Sequence, residues 1–448
     1  MAAIRAGQLG LRTVIIEKDK NLGGTCLLRG CIPTKALLHT ADLLDEFKHA
    51  REHGIVADSV SLDFGQAQKR KSKVVTKLSR GVEFLMKKNG VRVMTGAAHI
   101  EKPGSIKITS GGGSTEVLQS RNTIIATGSV VRSLPNLDID GKQIIGSDEI
   151  LELSEIPKSL VVLGAGAVGV EFASMFRRFG SDVTILELLP RLLPIEDEEI
   201  SAELAKSFKR QGIKAFTNAN FQSAVKEGGL IKVKARIGDA DREFAAEKLL
   251  VAVGRRAYTD GLGLENTRVE VERGYIKVDP HMRTAEPGIY AIGDVVPTPL
   301  LAHVASAEGI VAVETIADKD PKPLNYDHVP SCTYCLPEVA SVGLTEAKAR
   351  QRGYEVKVGR FPVPVIGKAQ IIGATEGLVK MVSDARYDEM LGAHIIGPHA
   401  TELIAEACMG LQLETTVEEV IRTMHAHPTV SETFREAAED VHGIAIDM

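Results

Sequence analysis

Two cysteines stand with four residues between them in the stretch Gly23-Gly24-Thr25-Cys26-Leu27-Leu28-Arg29-Gly30-Cys31-Ile32-Pro33-Thr34-Lys35, in a chain of 448 residues that has only five. On a regular α-helix such a step rises about 7.5 Å and leaves the two Cα atoms roughly 8.6 Å apart. A disulfide needs about 4.4–6.8 Å. A bond between Cys26 and Cys31 therefore requires a distorted helix entry, and Gly23, Gly24 and Gly30 supply backbone that can distort. A bond held in so tight a geometry is easily reduced, as catalytic disulfides are. The other reading is two free thiols packed in a core, the common fate of cysteine. Spacing alone leaves both open.

A second group of this kind lies near the end, in Met424-His425-Ala426-His427-Pro428-Thr429-Val430-Ser431-Glu432. Pro428 fixes the turn after His427, and Glu432 returns in the following helix. A carboxylate on one imidazole nitrogen orients the ring and raises its basicity. Thiolate is the attacking form of sulfur, and a free thiol near 8.5 is mostly protonated at neutral pH, so dithiol chemistry needs such a base.

A third motif concerns dinucleotides. The apolar run Leu160-Val161-Val162-Leu163 enters Gly164-Ala165-Gly166-Ala167-Val168-Gly169 and opens a helix through Val170 and Glu171. A strand over 182–186 then ends in Glu187, placed to meet a ribose 2′-hydroxyl; an acid there favours NAD over NADP. Earlier, Thr13-Val14-Ile15-Ile16-Glu17 is a short buried-strand pattern that also ends in an acid. A surface acid after a strand would look the same.

The cysteine segment matches every fixed position of GG-T-C-x4-C-[IV]-P-x-K and resembles the active-site disulfide of the flavin-dependent pyridine nucleotide–disulfide oxidoreductases. The run H-P-T-x-S-E at 427–432 is specific to the same family. The resemblance covers essentially the whole chain. It implies an α/β fold of two Rossmann-like dinucleotide-binding domains, for FAD and NAD, plus a C-terminal α+β dimerisation domain. The expected limits are 1–149 for the FAD domain, 150–272 for the NAD domain, 273–323 for a return to the first domain and 324–448 for dimerisation.

The same resemblance implies site residues. Cys26 and Cys31 form the redox pair, and His427 held by Glu432 is the base, presented by the partner subunit of a homodimer. FAD contacts fall at Glu17, Lys35, Gly96, Thr127-Gly128-Ser129, Asp294 and Leu300-Leu301-Ala302-His303. NAD contacts fall at residues 164–171, Glu187, Phe221 and Gly254. Lys35 and Glu171 match an ion pair near the reactive flavin nitrogen. The members most resembled oxidise protein-bound dihydrolipoamide to lipoamide with NAD. Implied partners are the lipoyl domain of an acyltransferase or a glycine cleavage carrier protein. In that mechanism a lipoyl thiol gives its proton to His427 and attacks Cys26. Cys31 is left as a thiolate, and two electrons pass through FAD to NAD. A family strand and its own G-x-G-x-x-G precede the helix whose tail is read at residues 1–10. A chain starting at Met1 is therefore expected to bind flavin poorly and to aggregate; a yellow protein with stoichiometric flavin would refute that.

Composition narrows the alternatives. The chain should hold two to four domains. Its 44% hydrophobic and 25% charged content is ordinary for a globular protein. A net charge of −5 gives no hint of nucleic acid or anionic membrane. No run is long and apolar enough to span a bilayer, and Met1–Arg5 lacks a signal-peptide layout. Five cysteines in so long a chain fit a reducing cytoplasm with one special pair. Cys332 and Cys335 make a lone C-x-x-C, weak for zinc, so packed thiols are expected and no metal.

The elements that must position these groups read as follows. Helices are expected over 34–51, with Leu37, Leu38, Leu43, Leu44 and Phe47 on one period, and over 64–89. Short strands lie at 91–94, 105–109 and 123–126, with a hairpin tip at Gly111–Gly113. A connector covers 130–158. A helix near 197–210 and short strands complete the second unit, which ends at Val253-Gly254-Arg255. A strand over 288–292 reaches Gly293-Asp294, and a helix runs from about 302 to 317. Strands at 339–343, 377–382 and 390–395 and helices at 400–412, 416–422 and 430–440 form the last unit. The rival functions are an NAD(P)H-dependent reductase of another disulfide, glutathione reductase-like, and an inactive truncated flavoprotein remnant. A mercuric reductase lacks support, since no vicinal cysteine pair ends the chain.

Overall fold

The computed structural model describes residues 1–57 and 59–447. The chain divides into two compact units. The first comprises Met1–Ala36, Gln68–Arg132 and Gly254–Tyr326, and the second Leu37–Ala67, Ser133–Val253 and Asp327–Met448.

In the first unit, Val14–Glu17 pairs in parallel with Arg92–Thr95, and Thr123–Ile125 in parallel with Ile289–Ala291. Three antiparallel strands, Ala97–Lys102, Ser105–Thr109 and Thr115–Gln119, form a separate sheet. Two of these, 97–102 and 115–119, went unread in the sequence because charged and small residues break their apolar alternation. Ile100, Ile125, Ile276, Ile289, Ala291 and Val295 share a core. The helix Ala302–Ile316 lies against Ala2–Gln8, and Arg5 pairs with Glu314 at 2.5 Å. A Cβ on Gly309 would stand 3.1 Å from the Ala2 Cβ, so the small residue permits that approach.

The second unit is built on a five-stranded parallel sheet in the order 214–216, 182–186, 159–163, 248–251, 144–145. Its central strand, Ser159–Leu163, is apolar and buried from Leu160 onward because both faces are covered. Leu160 and Val162 join Phe176, Met175 and Phe208 on one side. Val161 and Leu163 join Ile231 and Val233 of an antiparallel three-stranded sheet on the other. Alternate residues of one strand thus feed two cores.

A second five-stranded sheet, wholly antiparallel, has the order 331–333, 338–343, 390–397, 378–384, 356–362. All of Met390–Gly397 is buried. The helix Glu432–Val441 lies on Val356–Pro362, and Gly359 makes this possible: a Cβ there would meet the Ala437 carbonyl oxygen at 1.9 Å.

The unit limits differ from the expected domain limits for identifiable reasons. The unit changes at 132/133 rather than 149/150, because Ile144–Ile145 inside the expected connector is an edge strand beside Lys248–Val251. It changes back at 253/254 rather than 272/273, because Arg255–Ala257 pairs with Ser129–Val131 of the first unit. Residues 37–67 belong to the second unit because Leu37, Leu38, Ala41 and Phe64 pack with Phe176 and Phe179. Of the apolar series read on that helix, Leu37 and Leu38 are buried, whereas Leu43 and Phe47 are exposed.

One ion cluster links the parallel sheet's helix to the antiparallel sheet. Lys380 Nζ, in a side chain only 3% exposed, reaches Asp197 at 3.0 Å, Glu199 at 2.6 Å and Glu346 at 3.0 Å. Arg360 adds two bonds to Glu199, at 2.7 and 2.8 Å. Asp197 also caps the helix Glu198–Arg210 by accepting from the Glu199 N–H. Arg360 first, then Lys380, outweigh burial and hold Glu199 down at about 2. Removing one partner of a buried pair leaves its mates uncompensated, at a cost of about 3–5 kcal/mol. Lys380→Met is expected to lose roughly 3 kcal/mol of unfolding free energy, measured by urea denaturation followed by far-UV dichroism; a loss under about 0.5 kcal/mol, as for an exposed pair, would contradict the assignment.

Candidate active site

Cys26 lies in the short helix Gly24–Arg29, and Cys31 opens the next helix, Cys31–His49. Gly30 separates them at φ −136°, ψ −114°. A Cβ on Gly30 would stand 2.9 Å from the Thr25 carbonyl oxygen and 3.3 Å from the Cys26 Cα. The continuous-helix spacing therefore does not apply, and the two sulfurs meet as hydrogen-bonded thiols. Thr34 closes the break, its N–H and Oγ1 reaching the Gly30 carbonyl at 3.1 and 2.7 Å. Upstream, Gly23 takes φ +145° and Gly24 φ +62°, the left-handed region that glycine enters freely. Arg29 pairs with Asp19 and ties the loop to the strand before it.

The bond with Cys31, then burial, push the Cys26 thiol far above the ordinary range, against a downward pull from Lys35. The negative charge of Cys31 adds to this rise. Cys31 is exposed and Cys26 half-buried.

In the second unit, His427 Nδ1 and Glu432 Oε1 are 2.8 Å apart. Glu432 is the first residue of the helix Glu432–Val441, and its Oε2 accepts from the Thr429 N–H at 2.9 Å. Burial alone would raise this carboxyl; the Thr429 N–H and then His427 outweigh it and hold it below the usual range. The His427–Pro428 peptide is cis, and the His427 side chain is 78% exposed. The ring is thus fixed at one nitrogen and presents the other to solvent.

The glycine turn has the form a dinucleotide needs. Gly164 takes φ +104°, and a Cβ there would lie 2.5 Å from the Ala252 carbonyl oxygen. One on Gly169 would lie 2.0 Å from the Gly164 carbonyl oxygen, whereas Gly166 opens onto free space. Gly166 is the N-cap of the helix Ala167–Phe179, and no side chain caps it. Its first-turn N–H groups are therefore left for an anion such as a diphosphate. Val168 is partly exposed, and Val170 is buried in the helix face that meets the sheet. Glu187, buried at the strand end, accepts from the Ala165 N–H at 2.5 Å and the Leu189 N–H at 2.8 Å. Each oxygen keeps a lone pair for a ribose hydroxyl. These residues fit NAD. Gly254, at φ +109°, is open where a Cβ would point. Phe221 sits at a register shift in its strand and packs against a hydrophobic core. Glu171 is buried and accepts from the Tyr334 N–H at 3.0 Å.

The first unit places most of the residues expected to meet a flavin at strand ends. Glu17 ends its strand and accepts from the Asp19 N–H at 2.9 Å; burial raises its carboxyl. Thr127 Oγ1 donates to the Tyr258 carbonyl at 2.6 Å, and Gly128 takes φ +69° with open space beside it. Ser129 opens a strand and donates to Asp294 at 2.5 Å, and Arg255 donates to Ser129 Oγ at 2.6 Å. Leu300 precedes Leu301, the N-cap of the helix Ala302–Ile316, where no side chain caps the first-turn N–H groups. His303 lies in that first turn and is exposed. An acid-ended strand, an open glycine and an uncapped helix fit the sugar, backbone approach and electron-rich ring of a flavin dinucleotide. Gly96 is different: a Cβ there would meet Ile108 and the Thr109 carbonyl at 2.8 Å, so strand packing alone requires the glycine. Cys335 is buried, 3.1 Å from the Pro337 carbonyl, and burial pushes its thiol up, as a packed cysteine should behave.

Residues 1–309 match the model of the family described as pyridine nucleotide-disulphide oxidoreductase, and residues 329–438 match that family's dimerisation domain. The chain belongs to the pyridine nucleotide-disulphide oxidoreductase family. It is 46% identical to a dihydrolipoyl dehydrogenase of Bacillus subtilis, over all of this chain and 96% of that protein. It is 48% identical to one of Chlorobaculum tepidum, over 98% of this chain and 94% of the relative. Among solved family structures, LpdA of Mycobacterium tuberculosis superposes with a TM-score of 0.91 at 27% identity, covering 98% of this chain and 96% of the other. The hypochlorous acid-induced flavoprotein disulfide reductase RclA of Escherichia coli, in its copper complex, gives 0.88 at 27% identity, covering 98% and 96%.

Two side chains of the candidate site were not read from the sequence. Arg255, marked in the sequence only as the end of Val253-Gly254-Arg255, reaches Ser129 across 126 positions. His425, two residues before His427, has a side chain only 4% exposed; its Nε2 lies 2.7 Å from Glu406 and its Nδ1 2.9 Å from the Thr423 carbonyl. Both nitrogens face acceptors, an arrangement the protonated ring satisfies. The Glu406 bond, against burial, raises its pKa. A raised folded pKa gives stability that is fully present below the unfolded value of about 6.5 and is lost as pH rises through the folded value. His425→Gln is therefore expected to lower Tm more at pH 6 than at pH 9, read by scanning calorimetry; equal losses at both would contradict the linkage.

Proposed function

We propose that this chain oxidises protein-bound dihydrolipoamide to lipoamide and reduces NAD to NADH, the dihydrolipoyl dehydrogenase reaction. The observation that carries the reading is the Cys26–Cys31 pair brought together at the Gly30 break, in a family whose relatives at 41–48% identity bear that name. In the oxidised chain a lipoyl thiol yields its proton to His427 Nε2, while Glu432 holds Nδ1 and stabilises the imidazolium. The resulting thiolate attacks Cys26 Sγ, the Cys26–Cys31 bond breaks, and Cys31 leaves as thiolate. The second lipoyl sulfur then displaces Cys26, closing the lipoyl disulfide and leaving both cysteines reduced. FAD, when bound, would supply the two-electron relay between the reduced cysteine pair and NAD.

Glu17, Gly128, Ser129 and Asp294 would hold FAD, with the Ala302–Ile316 helix N-terminus. Residues 164–170 and Glu187 would hold NAD, with Gly254 clearing room. Glu187 supports NAD over NADP. Homodimerisation through 329–438 is part of the reading, the His427 of one copy serving the cysteine pair of the other. So are a cytoplasmic location and a lipoyl-bearing acyltransferase or glycine cleavage carrier as partner.

His427→Gln is expected to slow dihydrolipoamide-dependent NAD reduction by at least about a hundredfold, the low end for a positioned base. Transfer from NADH to a dye should be largely spared. Equal loss of both activities would contradict the role given to His427.

A further inference from the structure

The helix Phe64–Lys88 carries eight Lys or Arg residues and one acid, Glu83, in a chain whose net charge is −5. At 100° per residue, Lys69, Lys73, Lys77, Arg80, Lys87 and Lys88 fall within an arc of about 100°, and from first to last they span roughly 28 Å. All six are exposed. Among the described residues none of them has a carboxylate within ion-pair distance, although exposed lysines elsewhere are paired, as in Lys206–Glu203, Lys232–Glu227 and Lys277–Glu270. Phe84, 65% exposed, lies in the middle of the same arc.

The opposite face of this helix supports the redox loop. Ser79 Oγ donates to the Leu22 carbonyl at 2.7 Å and Met86 packs against Leu22, while Arg70, at the edge of the basic arc, donates to the Ala36 carbonyl at 3.3 Å. Leu22 and Ala36 bracket Cys26 and Cys31 in the chain. A partner held on the basic face is thereby held to the element that carries the cysteine pair.

We propose that this face docks an acidic surface of the protein that carries the dithiol. The inference rests on the reading of a protein-bound dithiol substrate. A small acidic domain feels the local field, since charges beyond about 8 Å are screened at physiological salt. A long nucleic acid would also meet the rest of this chain, which is more acidic than its overall −5. A membrane-surface helix buries its apolar face in lipid, but here that face is spent on Leu22 and its neighbours.

The test compares the full-length homodimer with a variant carrying Lys69→Gln, Lys73→Gln, Lys77→Gln and Arg80→Gln, changes that cost little helix propensity. Substrates are free dihydrolipoamide and a recombinant dihydrolipoyl domain. At low salt the variant should lose roughly tenfold or more in kcat/KM for the domain, the scale of electrostatic steering, and nothing for the free dithiol. The difference should vanish at high salt. Equal loss on both substrates, or none on either, overturns the proposal, as does dissociation of the variant to monomers in sedimentation. If the wild-type chain fails to oxidise free dihydrolipoamide, the functional reading fails separately. The face is then judged by anisotropy with labelled poly-L-glutamate: binding lost in the variant supports it. Absent binding, or tighter binding to a 20-nucleotide single strand or to phosphatidylglycerol vesicles, overturns it.

Discussion

The Thr25 carbonyl and the Cys26 Cα occupy the space that any side chain at residue 30 would need. Because Gly30 lacks one, the chain can leave one short helix and enter the next without the rise of a continuous helix. The two cysteines then meet, although their spacing on a regular helix would hold them apart. The rest of the site presupposes this approach. The rise of the Cys26 thiol follows first from its contact with Cys31 and then from burial. The role proposed for His427 as a base depends on that pair.

The dinucleotide side rests on a related constraint. Both the Ala167–Phe179 and Ala302–Ile316 helices begin without a side-chain cap. Uncapped first-turn N–H groups are costly unless solvent or a ligand satisfies them, and they are the donors an anion takes. Glu187 and Glu17 repeat one device in two units: a strand end that delivers a carboxylate already oriented by backbone N–H groups. Orientation before binding spares the ligand part of the ordering cost.

The His427–Glu432 pair is held by packing that has no chemistry of its own. Gly359 admits the helix Glu432–Val441 to its strand, and the first residue of that helix is the carboxylate that orients His427. Lys380 and Arg360 gather Asp197, Glu199 and Glu346 and tie the same sheet to the Glu198–Arg210 helix. Since these charges are fixed by one another, removing one affects its neighbours more than its own exposure suggests.

Motifs whose chemistry is local were legible in the chain. The cysteine segment, the glycine turn with its acid, and the histidine–glutamate pair each lie within about 25 residues, where strand, turn and helix periodicities fix geometry. Apolar runs such as Leu160–Leu163 were legible too, because burial on both faces favours apolar residues throughout. What the tertiary structure alone decided involves partners far apart in sequence. Arg255 on Ser129, Glu406 on His425, the strand Ile144–Ile145 beside Lys248–Val251, and Gly96 against Thr109 are examples. No periodicity records such pairings, since each depends on where two separated segments are brought by the cores between them. The break at Gly30 falls between these classes: the glycine was visible, but the oxygen that forbids any other residue is placed only by the fold.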